Sequence, residues 1–289
     1  MVDFNPENYE QNPLKKYFRQ AKVHITLPSK GKFYPDGALD MPETGELPVY
    51  PMTAKDELVI KTPDALLNGS ATVEIIKSCV PAIRDPWKMP SIDLDAVLVA
   101  IRIATYGEKL KLDINTPVTG SEKTVEADLR QILNKLVTVE FDNVVQIQDM
   151  TVELRPLTYK EFTESNLKTF EEQRVFALVT NETLSEAEKL EKFNESFTKL
   201  TDLTVTMMSR SIASITIGDT VVTNQKHIDE FINNVDKEWF EHVTDHLNEQ
   251  RDKFSIEPLK IQTDPEDVEK GAPETFEVPV TFDQSNFFE

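Results

Sequence analysis

Four histidines and a single cysteine hold most of this sequence's scope for transition-metal chemistry. His242 and His246 stand four residues apart, so on a helix they share a face with Glu238 and Glu249 and could present two imidazoles to one zinc ion. No H-E-x-x-H motif and no third ligand follows. The pair therefore reads as the solvated face of an amphipathic helix. Cys79, in the apolar run VEIIKSCV, lacks the nearby histidine and electropositive setting that would make a reactive thiolate. It reads as a small buried hydrophobe. Acids are abundant throughout, so pairs such as Asp93 and Asp95 carry no catalytic specificity, and Asp93 is explained by the helix dipole at the start of a helical pattern. With 8 glycines the chain contains no Walker loop, no G-x-G-x-x-G and no G-x-S-x-G, so the tight turns of nucleotide binding and serine hydrolysis are missing. Trp239 and Phe240 read as core. No catalytic residue, metal or cofactor is expected.

Composition sets outer bounds on the rest. At 39% hydrophobic and 28% charged residues, the chain has enough apolar material to fold. Its net charge of −20 leaves no excess of cations to displace counterions from a phosphate backbone, so direct nucleic-acid binding is not expected. One cysteine allows no internal disulfide and fits a reducing compartment. The opening MVDFNPENYEQ resembles no signal peptide, and no run approaches the ~18–20 apolar residues of a membrane span. Synthesis in the cytoplasm is the expectation.

The elements that would position these residues follow from local patterns. Asn12-Pro13 opens a short helix over Leu14 to Gln20, and Lys22 to Leu27 alternates as a strand. The Pro- and Gly-rich stretch from Leu27 to Pro51 reads as two short extended arms joined by a turn at Glu43 to Glu46. Thr53 caps a helix from Ala54, Thr62-Pro63-Asp64 starts a second, and Asn68-Gly69 ends it before Ser70 caps a third. Asp93 to Tyr106 has the period of a core-facing helix that stops at Gly107. A hairpin over Lys109 to Ala127 and a helix over Leu129 to Leu136 come next.

The runs VTVEF (137–141) and MTVEL (150–154) alternate and would pair. Long helical patterns then cover Thr158 to Val179 and Ser185 to Ser211, the second opened by the capping box Ser185-Glu186-Ala187-Glu188. Ile215 to Val222 forms a hairpin with a Gly-Asp turn, and helices cover Lys226 to Asn234 and Lys237 to Lys253. The fold class is α+β: helix-rich, with small antiparallel hairpins and an extended C-terminal tail. Four regions result: an N-terminal arm (1–20), an α+β region (21–136), a region of helical hairpin and β-hairpin (137–254), and an acidic tail (255–289).

Two phrases, LPSKGKFY at 27–34 and VYPMTAKDELVIKTPDALLNGSATVEIIKSCV at 49–80, resemble the T4-type phage baseplate hub subunit family. Leu27 to Gly31, Pro51 to Glu57, Leu67 to Gly69, Cys79 and Thr105 to Gly107 occur in that family's order, and the likeness is clearest over residues 24–135. It implies a structural or assembly role in the central baseplate of a contractile tail, with other baseplate proteins as partners; the alternative is a transient assembly chaperone that leaves before the virion matures. Asn115 to Gly120 resembles the Cys-Pro-x-Cys-Gly zinc knuckle of some relatives, with Thr116 and Thr119 in the cysteine places. Threonine supplies no thiolate, so any zinc role is lost.

Partner-binding residues are expected in two places. Phe33 and Tyr34 would form an exposed aromatic loop tip able to anchor an interface. In the tail, Phe276, Val278, Val280 and Phe282 fall on every second position of TFEVPVTF, the pattern of a strand with one sticky face. Residues 255 to 289 hold nine acids and two lysines, net −7, which favours a tail that is mobile alone and docks in extended form on a neighbouring protein. The other reading is a tail that folds back on its own domain.

Overall fold

The computed structural model describes residues 13–61, 69–179 and 185–280. Thr62-Pro63-Asp64, Leu67, Asn68 and Phe282 lie outside the described residues, so the helix expected at 62 is not discussed further.

Two apolar cores organise the chain. The first is built around a helix that is buried on every side. Its sequence, LDAVLVAIRIATY, has small or β-branched residues at most positions, and every residue from Ala96 to Ala104 is buried. Even Arg102 is only 5% exposed, with its guanidinium carbon 4.6 Å from the centre of the Tyr106 ring. Around this helix, α3 (Leu94–Tyr106), pack β1 (Val23–Ile25), β2 (Leu47–Val49), α1 (Ala54–Ile60), α2 (Ser70–Cys79) and α4 (Leu129–Thr138). Strand β1 pairs antiparallel with β2, Val23 opposite Val49, which turns both valines inward.

Here the expected hairpin is corrected. The turn before β2 forms, with Gly45 N donating to Pro42 O, but the first arm makes only a single bridge, Leu39 to Ile83. Pro35 and Pro42 flank that arm and cannot donate to a ladder. The first helix expected, over Leu14 to Gln20, is likewise only a 3-10 turn at Pro13–Tyr17. Gly69, rather than Ser70, occupies the N-cap position of α2, at φ 75°.

The second core joins a four-stranded antiparallel sheet to helices. The sheet order is β5 (Val144–Ile147), β6 (Met150–Leu154), β7 (Ile212–Ile217), β8 (Thr220–Val222). Helix α7 (Gln225–Ile232), helix α8 (Lys237–Lys253) and the C-terminal end of α6 (Glu186–Arg210) cover it through Met208, Ile228, Ile232, Trp239 and Val243. Trp239 is 1% exposed and meets Phe231 edge-on, with ring centres 4.9 Å apart. MTVEL pairs as expected, but with VVQI rather than VTVEF. Val137 and Thr138 complete α4 instead, because the apolar face of LRQILNKLV continues through Val137 onto the first core. The turn at Gln148-Asp149, with Gln148 at φ 56°, contains no glycine and so carries no strong sequence signal.

Between the cores, α5 (Tyr159–Val179) and α6 form the expected α-hairpin. Each starts at a capping box: Thr158 with Glu161, and Ser185 with Glu188. A hairpin of β3 (Lys109–Asn115) and β4 (Glu122–Asp128) leads into α4 through Asp128, which accepts from Arg130 N and Gln131 N. It also receives the C-terminal segment. There β9 (Leu259–Gln262) and β10 (Thr275–Val278) pair with each other, separated by the short helix α9 (Pro265–Glu269). The expectation of an extended mobile tail is thus corrected for residues 255–280, which fold back on their own chain. Ser121 Oγ donates to Asp267 at 2.7 Å, Lys123 reaches Asp264 at 2.9 Å, and Val280 is buried in the first core.

Candidate functional site

The sequence singled out Tyr34 as an exposed anchor, and the structure gives it an internal partner. Its hydroxyl donates to Asp93 Oδ2 at 3.0 Å. The same carboxylate, 0% exposed at the start of α3, accepts from Ser29 Oγ at 2.6 Å and from Ser29 N at 2.7 Å. Burial pushes the Asp93 carboxyl up to about 6, against the opposing pull of Ser29, Tyr34 and Lys30. Burial, with the adjacent Asp93, also pushes the Tyr34 phenol well above its ordinary range. Asp93 makes no cap bond to its own helix, so the dipole reading of this residue is replaced by a tertiary one: it ties the 27–34 loop to α3.

Phe33 is half-buried and held at φ 68°, a conformation unfavourable for a bulky residue. Its ring meets Phe141 edge-on at 5.6 Å, and Phe141 in turn lies 6.2 Å from Phe254. The aromatic tip therefore bridges the two cores rather than standing free.

A second polar cluster surrounds the Pro51-Met52-Thr53 phrase. Asp56 is 7% exposed and accepts from Thr53 N (2.7 Å), Thr53 Oγ1 (2.8 Å) and Ser78 Oγ (3.0 Å). Arg19 donates to the Pro51 carbonyl, to Ser78 O at 2.7 Å and to Ser78 Oγ at 2.8 Å, and lies 3.4 Å from Asp56. Burial, then the Asp56 charge, raise the Cys79 thiol to about 11, so it stays protonated at neutral pH. On α8, His246 Nε2 donates to the Asp142 carbonyl at 2.9 Å, so this imidazole fastens the helix to the β5 approach. Thr116 is buried in the β3–β4 turn, and Gly120 N donates back to its carbonyl. Among the described residues no group of three His, Cys, Asp or Glu could hold a metal ion, and no helix is long and apolar enough to cross a membrane.

In the tail, Phe276 stands opposite Ile261 and Val278 opposite Leu259 in the β9–β10 ladder, both half-buried. Val280 is 6% exposed. The alternating strand exists, and the edge it joins is the chain's own.

The apolar residues that do face outward are elsewhere. Leu190, Phe193 and Phe197 on α6 are 61%, 44% and 60% exposed, and Phe170 on α5 is 49% exposed. Leu14, Tyr17 and Phe18 form a smaller group at the N-terminal end of the described chain. Such clusters mark contact surfaces more often than scattered single residues do. Sequence reading assigned the α6 residues to a helical pattern without assigning them a face; their three- and four-residue spacing was the available signal.

Residues 20–264 match the family model described as T4 bacteriophage base plate protein. No curated protein and no solved structure matches the chain.

Proposed function

We infer the role from kinship: the chain belongs to the T4 bacteriophage base plate protein family, which puts it in the phage tail baseplate among other baseplate proteins. Within that setting we read it as a structural or assembly component of the central hub of a contractile tail, working through protein–protein contacts. The family match over most of the chain carries this reading. Supporting it, the residues most suited to chemistry are occupied internally: Asp93 by Ser29 and Tyr34, Asp56 by Thr53, Ser78 and Arg19, His246 by a backbone carbonyl. A net charge of −20 disfavours a nucleic-acid partner and leaves proteins as the ligands.

Quantitative mass spectrometry of purified phage particles and of isolated baseplates tests the placement. A fixed copy number in both is the expected result. Absence from the finished particle, with presence in assembly intermediates, would replace the structural role by that of a transient assembly chaperone. A zymogram on host cell wall is expected to show no clearing; a cleared band would overturn the non-enzymatic reading.

A further inference from the structure

Against a net charge of −20, residues 13–34 hold six basic side chains, Lys15, Lys16, Arg19, Lys22, Lys30 and Lys32, and no acid. The rest of the chain therefore stands at −26. Charge separated in this way within one chain sets up a local field that favours a partner of opposite sign.

Arg19 fixes where the first half of this segment lies. By bonding to the Pro51 carbonyl and to Ser78, it draws residues 15–22 across the N-terminal end of α1 and the C-terminal end of α2. Lys22 N donates to Val49 O at 3.0 Å and holds the stretch against β2. Each helix adds a lysine there: Lys55 precedes Asp56 and Lys77 precedes Ser78, the two residues that the Arg19 side chain meets. Lys15, Lys16, Lys22, Lys55 and Lys77 are all exposed. Among the described residues none of the five pairs with a carboxylate, although Lys88, Lys109, Lys123 and Lys135 elsewhere each do. Asp56 is held by Arg19, Thr53 and Ser78, and Glu57 accepts from Tyr106, which leaves Glu74 as the exposed acid of α1 and α2.

Apolar groups stand beside these charges. Tyr17 and Phe18 are 74% and 56% exposed, and Leu58, one turn along α1 from Lys55, is 70% exposed. Lys16 Nζ lies 4.9 Å from the centre of the Tyr17 ring. Exposed rings bordered by charge have the composition of a protein contact, with an apolar part to be buried and a polar rim to orient it.

We propose that this end of the first core is the docking surface for an acidic segment of a different protein, whose carboxylates meet the five lysines and whose apolar side chains meet Tyr17, Phe18 and Leu58. A second copy is a poorer occupant, because two chains at −20 repel as they approach. So is a nucleic acid: a phosphate polymer would run on from the basic end over a remainder at −26. A local cluster of carboxylates is confined to the basic end. The proposal rests on the baseplate reading for where the partner is found, and on the surface itself for the partner's chemistry.

The purified full chain is titrated into a labelled oligoglutamate peptide with a central leucine, and fluorescence anisotropy reads binding. The affinity should fall about tenfold or more as salt rises from ~50 to ~200 mM. Combining Lys15→Glu, Lys16→Glu and Lys22→Glu should cost about tenfold or more, with circular dichroism and melting unchanged because all three side chains are exposed. The same reversal at Lys160, Lys226 and Lys237, exposed residues of other helices, alters net charge equally and should change the affinity by less than about twofold. No binding, binding that ignores salt, equal losses from the two sets, or tighter binding of an oligothymidine strand would each overturn the proposal. In isolated baseplates a carbodiimide, which joins lysine amines to carboxylates in contact, should link Lys15, Lys16, Lys22, Lys55 or Lys77 to an acid of another protein. Links from these lysines only within the chain or to a second copy would also overturn it. A chain absent from baseplates that still binds the peptide through these lysines would refute the baseplate placement and support the surface.

Discussion

Replacing Asp93 by Asn removes the charge while keeping the shape of the group that ties the 27–34 loop to α3. Asn Oδ1 can still accept from Ser29 N, and Asn Nδ2 can donate to the Ser29 and Tyr34 hydroxyl oxygens, so the loop stays tethered. What changes is the dependence on pH. The folded-state carboxyl sits at about 6, above its ordinary 3.8, because burial outweighs the donors around it. A raised value means that the folded state holds its proton more tightly than the unfolded chain. Stability from this group is therefore full below pH ~4 and is lost as pH rises through about 6. The whole effect is ~3 kcal/mol, the gap between the two values at ~1.36 kcal/mol per pH unit.

The sequence pI of 4.7 makes the acid half of that window unusable, since a chain near zero net charge associates. Between pH 5 and 7.5, linkage leaves ~1.4 kcal/mol of the change. Urea unfolding of wild type and Asp93→Asn across this interval is the assay. The stability of the variant relative to wild type should climb by that amount, whatever the offset from imperfect hydrogen bonding at any one pH. Asp95, which burial also raises to about 6, is present in both proteins and cancels. A relative stability that stays flat, or falls with rising pH, would mean that Ser29 and Tyr34 hold the carboxylate ionised and that burial does not dominate.

Glu161 shows the opposite sign. Burial raises it, but Arg155 and Thr158 hold it down to about 2, so its contribution is present above pH ~4.5 and disappears as pH falls through about 2; Glu161→Gln should cost ~1–3 kcal/mol at pH 7, measured by urea unfolding. Gly69→Ala should cost ~1–3 kcal/mol in the same assay, because residue 69 has φ 75° and a Cβ there would lie 2.9 Å from the Tyr159 hydroxyl. Truncation after Phe254 strips Val280, Ile256 and Leu259 from the first core. Since one fully buried Val contributes ~1.5–3 kcal/mol, the shortened chain should melt several degrees lower and lose exchange protection in β3 and β4; an unchanged melting curve would show that the fold-back adds nothing.

The features legible from sequence were those whose cause is local. The Thr53 and Ser185 caps, the stop of α3 at Gly107 and the Gly218-Asp219 turn each depend on residues within one turn of chain, and each stands in the structure. Asp93 was misread because its acceptor role is satisfied 64 residues away at Ser29, beyond any periodicity. VTVEF alternates as well as any strand, yet the apolar face of α4 claims its first two residues. The tail was misjudged on charge. Two of its acids meet cations of the folded chain: Glu257 pairs with Lys135 at 2.5 Å, and Asp264 with Lys123. Pro279 was placed inside a strand when it follows the last paired residue, Val278.

Many described residues of the phrases that first marked the chain as baseplate-like serve the fold. Leu27 is fully buried, Ser29 and Tyr34 bind Asp93, and Gly31 holds φ 78° where a Cβ would meet the Met41 methyl at 2.6 Å. Further along, Thr53 and Asp56 cap α1, and Thr105 Oγ1 accepts from Met52 N while donating to the Ile101 carbonyl. Among their described residues Leu58, 70% exposed, is the large apolar side chain left to touch a neighbour. A substitution at Leu27, Ser29 or Asp56 that abolishes assembly acts first through the stability of the first core, and a lowered melting temperature should accompany it. Outside the phrases, Leu190 and Phe197 on α6 are 61% and 60% exposed. A search for contact residues should therefore include Leu58 within the phrases as well as Leu190 and Phe197 outside them.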